Sequence, residues 1–202
     1  MNGLFRPVLL TALLLTLSGG KAQTDTDLPA PQPPVYPVVL STGVRVQVAA
    51  PPAAPHPDAG WITWSLDLKR AAPNGRFVAL LFLRDAVFAK DHTAAAQLVR
   101  PDGSVLDLPK SDVNILKWTP DSRYLLGAGP TTLRLWNTAG GVRLWTGARG
   151  DVLDATARYA CVAEFLFEEG GARVTRLRLP NLSPAGTFVL AHRPTDGERF
   201  CR

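Results

Sequence analysis

The sequence predicts an all-β chain, a small or incomplete β-propeller of repeated four-stranded antiparallel sheets. Two observations predict it. First, a tight turn followed by Arg and an aromatic recurs: Pro73-Asn74-Gly75-Arg76-Phe77, Pro120-Asp121-Ser122-Arg123-Tyr124, the degenerate Thr156-Ala157-Arg158-Tyr159, and Pro194-Thr195-Asp196-Gly197-Glu198-Arg199-Phe200 with two inserted residues. Its aromatics are spaced by roughly 40 residues, the period of arrays in which one small sheet repeats and buries its faces against its neighbours. Second, the intervening segments are short apolar or alternating runs bounded by turn residues, the pattern of strands.

In chain order, residues 1–22 read as an export signal. Arg6 supplies a positive start, Val8 to Leu17 is a short apolar run, and Gly20-Lys21-Ala22 offers small residues for cleavage. Such a run is well short of the roughly 20 residues that cross a bilayer as a helix, and no Cys follows it to accept a lipid. The expected location is secreted or periplasmic, with no membrane span after cleavage. Residues 23–60 form a Pro-rich segment whose clusters favour extended, spacer-like backbone. Within it Val35 to Leu40 and Val44 to Val48 flank the turn Ser41-Thr42-Gly43 as a hairpin, with Pro37 confining its strand to an edge.

Residues 61–202 form the repeat domain. The first unit is expected from Ile62 to Leu68, Phe77 to Leu83, Ala95 to Arg100 and Val105 to Leu108. The second runs Val113 to Trp118, Arg123 to Gly127, Thr132 to Trp136 and Val142 to Trp145. The third runs Asp151 to Ala155, Arg158 to Phe167, Arg173 to Leu179 and Thr187 to Ala191, the last of which could instead open a fourth unit. Turn signals at Pro101-Asp102-Gly103, Asn137 to Gly141 and Glu169-Gly170-Gly171 fall where hairpins need them. Asp85 to Leu98 is the one helix candidate; an extended connection is preferred because it lies in the longest repeat interval. The ring is expected to close by pairing of Val35 to Val48 with a strand near Phe200, which would remove an exposed edge; the competing expectation is a truncated array.

Thr119-Pro120-Asp121-Ser122-Arg123-Tyr124-Leu125-Leu126 resembles the Ser-Pro-Asp-Gly-Arg-aromatic phrase of TolB-like and WD40-like propeller blades. Leu133-Arg134-Leu135-Trp136-Asn137 is similar to the strand ending in Trp-Asp of WD40 repeats, with Asn137 in place of Asp and no Gly-His dipeptide. The resemblance covers residues 61 to 192 and implies a binding platform rather than a catalyst.

Charge points to no particular polymer. The formal charge of +5 and pI near 9.6 include Arg6 and Lys21 of the signal, and the remaining basic residues alternate with apolar ones instead of forming the stripe that nucleic acid requires. Catalytic patterns are equally scarce: there is no Gly-x-Ser-x-Gly elbow, His-Glu-x-x-His pair or Walker loop. Gly127-Ala128-Gly129-Pro130 lacks a phosphate-binding Lys and reads as a turn. His56, His92 and His192 lie far apart, without zinc spacing. Asp91 and His92 are adjacent and would point to opposite faces of a strand. Glu164, Glu168 and Glu169 read as a solvated loop rather than a cation site, and Arg149-Gly150-Asp151 is assigned no role. No catalytic residue, metal or cofactor is expected.

Two candidate features remain. Arg134 with Trp136, and Arg143 with Trp145, alternate along the two strands of one hairpin; if both pairs share a side they form a binding patch suited to cation–π contact. The competing reading is that both Trp side chains fill the gaps between blades. Cys161 and Cys201, the chain's two cysteines, could pair in an oxidising compartment if their Cα atoms come within about 7 Å. The expected function is that of an exported, non-enzymatic binding or scaffold protein of the cell envelope. Its partner would be another envelope protein or peptide, or a second copy joined through open sheet edges. The alternatives are the propeller portion of a secreted hydrolase and a truncated propeller without independent function.

Overall fold

A computed structural model describes residues 29–56, 60–85, 93–147 and 150–202. Residues 1–22, read from the sequence as an export signal, and Asp91, His92 and Arg149 lie outside the described residues. Fifteen strands are described, in an all-β, incomplete propeller-like arrangement. None of the described residues belongs to a helix long and apolar enough to cross a membrane.

Strands β1 (Val35–Val39) and β2 (Arg45–Ala49) form the N-terminal hairpin. The first blade is β4 (Gly60–Ala71), β5 (Val78–Asp85), β6 (Ala94–Val99) and β7 (Val105–Asp107), with β3 (Ala54–His56) added beside the start of β4. The described end of the helix candidate Asp85 to Leu98 is extended and supplies strand β6. The second blade is β8 (Ile115–Trp118), β9 (Tyr124–Ala128), β10 (Thr132–Asn137) and β11 (Val142–Thr146). The third is β12 (Val152–Ala155), β13 (Tyr159–Phe165), β14 (Ala172–Arg178) and β15 (Ser183–Leu190). Residues 187–190 complete this blade and do not open a fourth.

The recurring phrase works as a self-satisfied turn between the first two strands of each blade. In the second blade Thr119 N–H donates to Tyr124 O at 2.9 Å, and Asp121 Oδ1 accepts from Thr119 Oγ1 at 2.6 Å and from Arg123 N–H at 3.1 Å. In the first, Ala72 N–H donates to Phe77 O and Asn74 Oδ1 accepts from Arg76 N–H. Gly75 there has φ +67°, and Ser122 at the matching place has φ +60°, a region that non-glycine residues enter at a cost. The serine offsets that cost by reaching the next blade: its Oγ accepts a hydrogen bond from Asn74 N–H at 3.0 Å. Ser122→Ala keeps the strain and orphans that N–H, so a loss of about 1 kcal/mol is expected, read as a melting temperature lower by about 2–4 °C. Ser122→Gly, which loses the bond but relieves the backbone, should fall less.

The layers stack through four apolar seams. The hairpin buries Val38, Leu40, Val48 and Ala50 against Trp64, Leu80 and Phe82 of the first blade. Leu81, Ala96 and Leu98 of the first blade meet Leu116, Trp118, Leu125 and Trp136 of the second. Leu126, Leu133 and Leu135 meet Leu153, Ala160, Val162 and Leu177 of the third. The far face of the third blade, with Cys161, Ala163, Ala172 and Val174, receives Phe200 and Cys201 of the C-terminal tail.

The expected closure of a ring between the hairpin and a strand near Phe200 is therefore corrected. The hairpin covers the first blade, with Tyr36 against Phe82 at 5.7 Å and Ser41 N–H donating to Gly75 O, while Phe200 covers the third. The reason is amphipathicity: alternate hairpin residues are apolar and find the bare face nearest in sequence. The fourth phrase copies the turn residues of the others, and its aromatic, Phe200, packs against the third blade.

Candidate functional site: the axial cleft

Inner strands β4, β8 and β12 lie side by side at the convergent edges of the three blades. The side chains they present are set by the pleat, with one exception that decides the site. The pairing of β4 with β5 slips between Leu66 and Leu68, a β-bulge at Asp67. Before it, Trp64 and Leu66 pack toward the hairpin; after it, Leu68 packs toward the second blade. A regular strand would keep all three on one face. The bulge thereby leaves Lys69 reaching the hairpin, where its Nζ donates to Pro37 O at 3.1 Å, and aims Arg70 into the axial space.

There Arg70 Nη2 donates to Asp196 Oδ2 of the C-terminal tail at 2.9 Å. This bridge divides a cleft into two lobes. The larger, about 300 Å³, is lined by Arg70, Pro73, Leu116, Lys117, Trp118, Pro120, Asp196 and Arg199. The smaller, about 210 Å³, is lined by Leu68, Arg70, Asn114, Ile115, Asp151, Val152 and Asp196. Across the floor Trp118 Nε1–H donates to Arg70 O at 3.0 Å, tying β8 to β4. Asp151 is fixed by accepting Phe165 N–H at 2.7 Å. The larger lobe carries the cations Arg70, Lys117 and Arg199 against one carboxylate, a surface suited to anionic groups.

The tail that brings Asp196 is held at both ends. Buried Asp154 of β12 accepts the N–H groups of Phe200 and Cys201 through one oxygen, each at 2.9 Å. Cys161 of β13 and Cys201 are joined by a disulfide, their Cα atoms 5.3 Å apart. On the other side of Asp196, Glu198 accepts from Thr195 N–H at 3.1 Å and meets His192 Nε2 at 2.6 Å. These bonds hold the Glu198 carboxyl below its ordinary value of 4.5, His192 contributing most. The lowered value means that this fastening is present at neutral pH and is lost as pH falls through the folded-state value. Glu198 should titrate below 4.5 by carbon-detected NMR, and His192→Ala should return it toward that value.

The other sequence candidates are placed as follows. The turn after β10 sets Trp136 opposite Val142, Arg134 opposite Leu144, Leu135 opposite Arg143 and Leu133 opposite Trp145. Opposed residues share a face, so Arg134 and Trp136 point toward the first blade while Arg143 and Trp145 point toward the third. The shared Arg/Trp patch is corrected on that register. Trp136 is fully buried in the seam between the first two blades and Trp145 is half-buried against the seam between the second and third. Asn137, standing where the repeat pattern has Asp, accepts Ala139 and Gly141 N–H groups through Oδ1 and so builds the turn itself. Gly127 is part of β9 rather than a turn, and its bare Cα makes room for the Trp136 ring: a Cβ there would stand 2.7 Å from Trp136 Cζ3. Glu164 lies 3.8 Å from Arg173, and Glu168 and Glu169 are exposed in the loop before Gly170. Among the described residues no group of three or more His, Cys, Asp or Glu is placed to hold a metal.

Arg70, Lys117, Asp196 and Arg199 were not singled out by sequence reasoning. One signal was available, a lysine between Leu116 and Trp118 on an inner strand; the partnership of Arg70 with Asp196 spans 126 residues and has no local trace.

No family model matches the chain, and no curated protein matches it in sequence. Among solved structures it is similar to one described as the crystal structure of the eukaryotic initiation factor, with a TM-score of 0.53 and 10% identity over 79% of this chain and 43% of that one. Another is the β-propeller domain of the Trilobed protease from Pyrococcus furiosus, described as having an open velcro topology, with a TM-score of 0.46 and 12% identity over 73% of this chain and 45% of that one. The chain thus spans less than half the length of either structure. At 10% identity the first likeness is one of fold alone.

Proposed function

We propose that this chain is an exported, non-enzymatic binding module of the cell envelope, and that it holds a segment of a partner protein in the axial cleft. The observation that carries the reading is the convergence of three blades and the tail on one groove whose larger lobe is rich in cations. Its lobes, about 300 and 210 Å³, are sized for a few side chains of a peptide rather than for a large ligand. Export is supported by the apolar leader Val8 to Leu17 and by the Cys161–Cys201 disulfide, since such bonds persist in oxidising compartments and are rare in the cytosol.

The test is capture from envelope extract on immobilised chain. Arg70→Ala combined with Lys117→Ala should remove the captured partner while leaving the melting temperature within about 3 °C, because Arg70 is exposed and Lys117 only half-buried, and charges in such places contribute little to folding. Capture that survives the double substitution would place the binding surface elsewhere. Deletion of residues 1–22 should leave the protein in the cytoplasm with both cysteines reduced.

A further inference from the structure

The chemistry of the partner segment follows from what already occupies the cleft, and this step rests on the binding reading above. Arg70 and Asp196 are 43% and 64% exposed at their side chains, so their bridge contributes little to folding. It is nonetheless positioned with care. The bulge at Asp67 turns Arg70 inward; the disulfide and Asp154 fasten the tail on one side of Asp196, and the Glu198 contacts with His192 and Thr195 order the turn around it. Asp196 sits at the boundary of both lobes, where Lys117 and Arg199 add two further cations on the side of the larger one. Beside these cations the same lobe offers two exposed apolar rings, Pro73 and Pro120, over the buried Trp118.

We propose that Asp196 is an internal stand-in for a ligand carboxylate, and that the cleft takes an acidic peptide segment with apolar residues next to its carboxylates. The ligand carboxylate displaces Asp196 from Arg70, whose guanidinium matches a carboxylate in a two-bond fork. A second acidic group is met by Lys117 and Arg199, and the intervening apolar side chain lies on Pro73 and Pro120.

The arrangement makes the two halves of one ion pair act in opposite directions. Asp196→Asn removes the competitor and should tighten binding about three- to fivefold, the span of a surface ion pair. Arg70→Met removes the anchor and should weaken binding at least about tenfold. A bridge that merely holds the tail in place would give the same sign for both.

The probe is a fluorescein-labelled peptide of sequence Gly-Leu-Asp-Leu-Asp-Gly, amidated at its end, titrated against the folded chain and followed by polarisation. Its Asn-substituted counterpart and inorganic phosphate serve as comparisons. The expected results are binding by the wild type, tighter binding by Asp196→Asn, loss by Arg70→Met and by the Asn peptide, and no competition from millimolar phosphate. Weaker binding by Asp196→Asn would overturn the stand-in assignment, as would absence of peptide binding by both wild type and Asp196→Asn. Full competition by phosphate would overturn the peptide carboxylate in favour of a general oxyanion site. Since capture of the envelope partner is read separately, peptide failure with capture intact rejects only this inference. Capture that ignores Arg70 and Lys117 rejects the cleft reading itself.

Discussion

Trp136→Ala is expected to destabilise the chain by about 4 kcal/mol, in the range of large-to-small changes at fully buried aromatic positions. The ring is fully buried in the seam between the first and second blades, among Leu81, Leu98, Leu116 and Leu125. Its removal opens a cavity in the seam between two separate sheets. Melting should drop on the order of 10 °C. Trp145→Ala, at a half-buried position, should cost about half as much or less. Two companion variants test the cause. Trp136→Phe keeps most of the volume and removes an indole N–H that has no partner, so it should cost under about 1.5 kcal/mol. Gly127→Ala alone drives a methyl group into the ring and Val113 and should destabilise, yet it should be tolerated in the Trp136→Ala background. A double-mutant cycle that shows no coupling between positions 127 and 136 would contradict the packing described.

Reduction of the Cys161–Cys201 bond, or replacement of both residues by alanine, is the second large effect. The bond closes a loop with a sequence separation of 40, for which the chain-entropy account gives about 4 kcal/mol. The loss should be concentrated at one end of the stack. Phe200 and Cys201 are the tail residues that cover the far face of the third blade, and the bond also steadies the segment that carries Asp196. Hydrogen exchange should therefore accelerate first in β13 and β14, while the hairpin and first blade keep their protection. Uniform acceleration would mean that the seams do not fail independently.

Blade boundaries could be read from the sequence because their determinants are local. Pro73 to Phe77 and Pro120 to Tyr124 each contain the donors and acceptors that close their own turn, and apolar runs such as Leu80 to Phe82 mark strands buried on both faces. The same locality misled at Pro194 to Phe200, where the aromatic after similar turn residues packs on the third blade instead of pairing with the hairpin.

The site was hidden for two physical reasons. Ser65-Leu66-Asp67-Leu68 alternates without interruption, so nothing in it announces the bulge that turns Leu68 and Arg70 to the opposite face from Leu66. The Arg/Trp patch failed on a related point: alternation orders residues within a strand, but the turn sets which face of the neighbouring strand they share, and here it paired Trp136 with Val142. Docking of the hairpin and of the tail depends on bare blade faces at the two ends of the stack, which exist only after the blades have formed.

The central claim is that the partner is held at the axis of the open stack. The measurement that tests it most directly is photo-crosslinking in the envelope from a reactive residue placed at Ala71, on the wall of the larger lobe, compared with one at Arg143 on the outer strand β11. A partner adduct from position 71 and none from position 143 is the predicted result. An adduct from position 143 with none from position 71 would move binding to the outer edge and contradict the account.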